Sequence, residues 1–365
     1  MKKLDEIHVT GYKSFRELTL KLNSLNILIG ANGAGKSNLI SLFRLLNQTV
    51  DENLQLFVQQ KGGAETFLHF GQKTTSAINI LLTFGQNGYR VKWVPTVDDR
   101  LIFAEEACGF FKGQYVNEHW KNLGTGHRET LLKEAAKPSP LIVPSYVLKY
   151  LNNWKLYHFH DTSDSALVKK VHDINDNRFL KPDAGNLAAF LLRLQKSGQE
   201  HYEAIRDTVR MVAPFFDDFI LHPMPENDMK IRLEWKERGS DSPFLAHYLS
   251  DGTLRFICLA TLLLQPPARL PSTIVIDEPE LGLHPYAINV LASLLRSAAT
   301  QTQIIAATQS VTLINQFDPQ DLLVVDRRGP ESTIERLDDS QLIEWLEDYT
   351  LGELWEKNVI GGRPV

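Results

Sequence analysis

The chain has 365 residues, enough for two cores or for one large core with an insertion. Its 43% hydrophobic and 23% charged residues are those of an ordinary globular protein, and a formal net charge of −5 excludes whole-molecule attraction to nucleic acid while leaving a local basic face open. The cysteines, Cys108 and Cys258, share no metal-ligand spacing and fit a reducing compartment better than a disulfide framework. No apolar signal core follows Met1-Lys2-Lys3, and the longest apolar run, 256–264, is too short to cross a bilayer. These features predict a soluble cytoplasmic protein without a membrane partner.

In chain order, Ile7-His8-Val9-Thr10, residues 18–22 and residues 25–29 read as three short strands separated by Gly11, Ser14, Asn23 and Ser24. After Ser37, the spacing of Leu39, Ile40, Leu42, Phe43, Leu45 and Leu46 predicts a helix ending near Asn47. Residues 78–84 and 89–94 flank Gln86-Asn87-Gly88 and predict a hairpin turning at Asn-Gly. The stretch 110–140 reads as mixed and partly helical, 166–213 as helical up to Pro214, and 229–235 as a strand. In the last third, strands at 273–276, 303–307 and 322–325 alternate with a helix at 286–299. This alternation predicts an α/β core with a largely parallel sheet, built from both chain ends with the middle inserted. No heptad run, internal repeat or low-complexity segment stands out.

Gly30-Ala31-Asn32-Gly33-Ala34-Gly35-Lys36-Ser37, followed by Asn38, matches GxxxxGK[ST] between a buried strand and a helix. Glycines let successive N–H groups turn toward phosphate oxygens, and the helix N-terminus adds a favourable dipole. Lys36 can reach the β- and γ-phosphates of ATP, and Ser37 can bind Mg²⁺. The β-branched strand Thr273-Ile274-Val275-Ile276 ends in Asp277-Glu278, where Asp277 suits Mg²⁺ and Glu278 suits orienting the attacking water. Leu249-Ser250-Asp251-Gly252-Thr253 precedes an apolar helix and reads as a second anion site, with Ser250 as its cap.

Asp277-Glu278-Pro279-Glu280-Leu281-Gly282-Leu283-His284-Pro285 resembles the DEPExGLHP segment of stand-alone ATPases of the ABC/SMC class, similar to RecF and OLD proteins and more distantly to SMC proteins. The resemblance runs from Tyr12-Lys13-Ser14-Phe15 to Gly361-Gly362-Arg363-Pro364, with its segments in the expected order. It implies an α/β P-loop NTPase of ABC/SMC type with a mixed sheet core, an antiparallel β subdomain near 75–105 and an inserted helical lobe. Residues 1–145 and 251–365 are expected to form the nucleotide-binding core, and 146–250 the inserted lobe.

By the same resemblance Ser250, Asp251 and Gly252 correspond to the ABC signature, which caps ATP held by the opposite subunit, so ATP joins a homodimer. Asp251 departs from the usual glycine there, and a carboxylate beside a γ-phosphate is unfavourable unless it points away. Gln309, after the strand 303–307, stands where relatives carry a switch residue, and Lys13 where they place a basic group near the nucleotide. His284 falls near the dimer seam, with a packed helix-start histidine as the alternative. His158, His160 and Asp161 are open to metal binding, to nucleotide coupling or to a structural polar role.

Two functions compete: a DNA-associated ATPase acting in repair or in defence against foreign DNA, and an ATP-gated switch whose separate effector protein carries the activity. The chain ends about forty residues after its last predicted core strand, so no OLD-type nuclease domain is expected. More than two hundred positions between Lys36 and Ser250 count against a transporter subunit, whose corresponding region is compact.

Overall fold

Four of the apolar segments read as strands, Leu25–Ile29, Thr273–Asp277, Gln303–Thr308 and Leu322–Arg328, lie in one sheet. The computed structural model describes residues 3–111, 118–140, 142–338, 340 and 342–363, so Pro364 lies outside the described residues. The sheet runs Glu331–Arg336, Leu322–Arg328, Leu25–Ile29, Gln303–Thr308, Thr273–Asp277, Trp154–Tyr157. All neighbours are parallel except the pair at the Glu331–Arg336 edge.

Both faces of this sheet are buried, and the period-2 alternation of strand side chains divides its residues between two cores. Leu25, Ile27, Ile29, Ile274, Ile276, Ile304, Ala306, Leu322 and Val324 face one core. Leu28, Val275, Ile305, Ala307, Leu323 and Val325 face the other. On the first side lie helices Leu187–Ser197, Gln199–Val212, Asp251–Leu264 and Pro285–Ala299. On the second lie helix Lys36–Val50 and an antiparallel sheet. That sheet has the order Phe15–Lys21, Glu6–Tyr12, Ile78–Phe84, Asn87–Pro95, Leu101–Phe111, Glu118–Gly124. The α/β class, the mixed core sheet and the antiparallel part follow the sequence expectation. No helix among the described residues is long and apolar enough to cross a membrane.

Three local expectations are corrected. Phe84 pairs with Asn87, so Gly85 and Gln86 make the hairpin turn and Asn87-Gly88 open the next strand. Gly85 supplies the positive φ two residues before the expected Asn-Gly turn. The described part of 110–140 agrees with its mixed, partly helical expectation, with strand Glu118–Gly124 and a helix at Leu132–Ala136. Residues 166–186 are irregular apart from Leu167–Lys169 and His172–Asp173. There the buried Asn186 donates to the carbonyls of Asp176 and Phe179, both at 2.8 Å, and accepts from the Lys181 N–H at 2.9 Å; such side-chain bonds compete with a helix. Finally, Trp154–Tyr157, from the stretch expected to form the inserted lobe, is the outer strand of the parallel sheet.

Gln303 ties the two sheets together. It is fully buried; its Nε2 donates to the carbonyls of Leu4 (2.9 Å) and Asn23 (3.0 Å), and its Oε1 accepts from the Leu4 N–H and the Thr273 hydroxyl, both at 3.2 Å. Gln303→Leu strands these partners in an apolar layer. We expect it to lower unfolding free energy by about 2–4 kcal/mol, read as an earlier urea midpoint; an unchanged midpoint contradicts the clamp.

Candidate functional site

The parallel register brings three strand ends to one level. Asp277 pairs with Ala307, and Thr308 pairs with Ile29, so the chain leaves all three strands at the same edge. At that edge Gly30 opens the glycine-rich loop, and Gly35, at φ +126°, turns it into helix Lys36–Val50. A side chain at Gly35 would sit 2.5 Å from the Ser332 hydroxyl, so glycine is required there. The first-turn N–H groups of this helix have no carbonyl of their own helix to pair with, which makes its start an anion site. Asn38 Nδ2 donates to Ser14 Oγ at 2.7 Å, and Ser332 Oγ bonds both Ser14 Oγ (2.7 Å) and the Ala34 carbonyl.

One cleft is lined by Ala31, Asn32, Gly33, Gly35, Lys36, Ser37 and Asn38 of the loop and by Asp277, Glu278 and Gln309. Lys36 is buried, and its Nζ donates to the carbonyls of Gly30 and, at 3.0 Å, Ala31. Burial lowers its pKa, against the opposing pull of Glu278, Asp277 and Glu280. Asp277 is pushed above the usual carboxylate range by burial and by the Glu278 charge, while His160, Lys36 and Arg44 pull it back. Gln309 Nε2 donates to Glu278 Oε1 at 3.0 Å and to Asn32 Oδ1 at 2.7 Å, linking the third strand end to the second and to the loop. Glu278 has φ +43°, a left-handed conformation that a non-glycine residue adopts at some cost and that recurs at functional sites.

The hydroxyl and carboxylate oxygens of Ser37 and Asp277, at the mouth of a phosphate-type loop, fit Mg²⁺, which binds a few protein oxygens and takes the rest from phosphate and water. A divalent cation there would also offset the burial that disfavours ionised Asp277.

Gly30 and Ala34 lie behind the cleft wall, against Val325 and Ser332 respectively. Lys13 is not among the lining residues; its Nζ donates to Ser41 Oγ at 2.7 Å, farther along the loop helix. Ser250, Asp251 and Gly252 are also absent from the lining. Ser250 caps helix Asp251–Leu264 by accepting the Thr253 N–H at 3.1 Å, and Asp251 is exposed in its first turn. A side chain on Gly252 would come within 2.2 Å of the Gly282 carbonyl, so this helix start abuts the segment that follows Glu278. His284 is the helix-start histidine, accepting the Tyr286 N–H at 3.4 Å through Nδ1.

His158 bonds Arg44, and burial together with Arg44 and His160 lowers its pKa to about 4. His160 Nε2 bonds the Asp277 carbonyl at 2.8 Å, and Asp161 accepts from Ser163. No group of three or more His, Cys, Asp or Glu able to hold a metal occurs among the described residues, so these side chains do not gather a metal site of that kind.

Four residues near the cleft were not assigned a place there from sequence. Arg255 donates to the carbonyls of Phe159 (3.2 Å), His160 (2.9 Å) and Leu281 (3.0 Å), joining helix Asp251–Leu264 to both segments beside Asp277. The Gly362 carbonyl accepts the Ala31 N–H at 2.6 Å, and Arg363 and Arg327 stand beside Asn32 and Gly33. Partners this distant in sequence leave no local signal; only the tail's two consecutive glycines hinted at a close approach.

No curated protein matches the sequence. Among solved structures, the chain is similar to an Smc head bound to the C-winged helix domain of ScpA, with TM-score 0.60, 14% identity, and coverage of 93% of this chain and 99% of that one. It is also similar to an Smc head domain with an extended coiled coil bound to the C-terminal domain of ScpA derived from Pyrococcus furiosus. That match has TM-score 0.54 and 14% identity, and covers 95% of this chain and 99% of that one. At such identity the likeness is one of fold. A family model described as "AAA domain, putative AbiEii toxin, Type IV TA system" matches residues 25–315. The chain belongs to that AAA domain family, and its fold is the P-loop fold of the Smc head domains.

Proposed function

We propose that this chain binds ATP with Mg²⁺, hydrolyses it, and closes as a homodimer around two nucleotides while associated with DNA in repair or in defence against foreign DNA. The observation that carries the catalytic part is the convergence of Lys36, Ser37, Asp277, Glu278 and Gln309, from three strand ends, on one cleft. In this reading the N–H groups of Gly33, Gly35, Lys36 and Ser37 cradle the phosphates, with Asn38 just beyond, and Lys36 offsets their charge. Ser37 and Asp277 would hold Mg²⁺, which would supply positive charge to offset that of the phosphates. Glu278 orients a water and takes its proton as the oxygen attacks the γ-phosphorus and the bond to ADP breaks. Gln309 senses the γ-phosphate beside Asn32 and Glu278.

Dimerisation is supported by the separation of Ser250, Asp251 and Gly252 from the cleft of their own chain. Tyr248, Leu281 and Tyr286, on the segments flanking the contact of Gly252 with Gly282, are exposed apolar side chains suited to a seam. Asp251, exposed at the helix start, can turn aside from a phosphate. The nucleotide-binding lobe then comprises 1–145, the strand Trp154–Tyr157 and 251–365, and the remainder of 146–250 forms the second lobe.

An ATP-gated switch acting on a separate effector is the second reading. It is favoured by the solved Smc head domains of the same fold, which are bound to domains of another protein, ScpA.

Lys36→Ala is expected to weaken ATP binding at least about 100-fold by calorimetry, since it removes a charge buried at the phosphate position; retained tight binding sinks the loop assignment. Glu278→Gln should keep ATP binding, slow turnover at least about 100-fold and accumulate a dimer by light scattering. An ATP-loaded monomer contradicts the two-nucleotide closure. The DNA association predicts that duplex, nicked or single-stranded DNA raises ATP turnover and shifts in a gel; no change with all three removes DNA and leaves the effector reading.

A further inference from the structure

Two residues beyond Glu278 stands a third carboxylate that the roles above leave unused. Glu280 Oε1 accepts the Thr308 hydroxyl at 2.5 Å and the Gln309 backbone N–H at 3.2 Å. Oε2 is buried and has no hydrogen-bond partner among the described residues. Burial raises the pKa of this group, the Thr308 and Gln309 bonds oppose that, and the Glu278 charge adds to it. A buried carboxylate with one idle oxygen costs stability, and an apolar side chain of similar size would fill the space more cheaply. What Oε1 holds therefore matters.

It holds the turn that carries Gln309. Thr308 passes the constraint onward by accepting the Ser310 N–H through its hydroxyl at 3.0 Å, while the Gln309 side chain spans Glu278 Oε1 and Asn32 Oδ1. Glu278 is pinned on its backbone side as well, its N–H donating to the Ala307 carbonyl at 2.8 Å. A chain of hydrogen bonds thus runs from Glu280, through the backbone and side chain of Gln309, to Glu278 and the glycine-rich loop. Without the anchor at Thr308 and Gln309, the turn can rotate and the Gln309 amide loses its fixed bearing on Glu278.

We infer that Glu280 is a positioning residue for ATP hydrolysis, fixing the turn of Thr308 and Gln309 so that Gln309 orients the Glu278 carboxylate. It takes no proton from the attacking water and contributes through acceptor geometry at Oε1. Its charge is dispensable, so a neutral amide with a carbonyl oxygen in the same place can replace it. The inference rests on the ATPase reading and refines which residues set the rate.

The test compares Glu280→Ala, Glu280→Gln and Thr308→Val in steady-state ATP turnover, with nucleotide affinity measured separately by calorimetry and folding by circular dichroism. Lys36-dependent turnover by the unsubstituted chain establishes the ATPase reading first; its absence overturns that reading and the inference with it. Given that turnover, Glu280→Ala should lower kcat about 10–100-fold while KM and nucleotide affinity stay within about 3-fold. Glu280→Gln should retain kcat within about 3-fold, because its amide oxygen still accepts both bonds. The inference is overturned if Glu280→Ala turns over like the unsubstituted chain, if its loss falls on KM alone, or if Glu280→Gln is as slow as Glu280→Ala. Should Glu280→Ala fail to fold, Thr308→Val decides. A several-fold fall in kcat with unchanged affinity sustains the inference, and an unchanged kcat overturns it.

Discussion

A sheet buried on both faces leaves its chemistry nowhere to go but the ends of its strands. Leu25–Ile29 is buried along its whole length, and Thr273–Asp277 becomes partly accessible only at Asp277. Polar groups needed to handle phosphate cannot sit on either face without breaking a core. They collect where parallel strands run out together, the edge at which open α/β sheets bind ligands. The register of Asp277 with Ala307 and of Thr308 with Ile29 decides which residues meet. A slip of one residue in either strand would exchange its two faces and misplace the residues at its end.

That crowding sets the electrostatics. Asp277, Glu278 and Glu280 lie within four residues, and Lys36 is the cation whose titration feels all three. Burial disfavours charge on Asp277, Glu280 and Lys36; opposite charges counter it at Asp277 and Lys36, and hydrogen bonds from Thr308 and Gln309 counter it at Glu280. Gln309 suits such a place. Its amide donates to a carboxylate without adding a titrating group, whereas an imidazole there would tie the bond to pH.

Segments that carry their own pattern were legible in the sequence. The glycine-rich loop, the helix behind it and the strands at 25–29, 273–277, 303–308 and 322–328 each combine a period with punctuation confined to a few neighbouring residues. Tertiary bonding overrode the pattern elsewhere. Apolar spacing continues through 166–186, but Asn186 captures the backbone there and no helix propagates. Asn87-Gly88 looks like a turn, yet Gly85 turns the chain first. Within the cleft, Asp277, Glu278 and Gln309 could be named because they close strands. The neighbours of His160 and Arg255 could not, since each bonds a carbonyl more than twenty positions away.

The clasp of Gly362 on Ala31 gives the fold a temporal dimension. The glycine-rich loop leaves the ribosome long before Gly362, which supplies a backbone bond that steadies it, and the strands on either side of Leu25–Ile29 also come from beyond residue 300. Contacts of such long range close late and slowly. During synthesis strand Leu25–Ile29 must therefore wait with its edges unpaired and its apolar faces uncovered, the state in which chains aggregate or recruit chaperones. Nucleotide present at that stage would meet a loop not yet held in shape, so ligand capture should follow completion of the sheet rather than guide it.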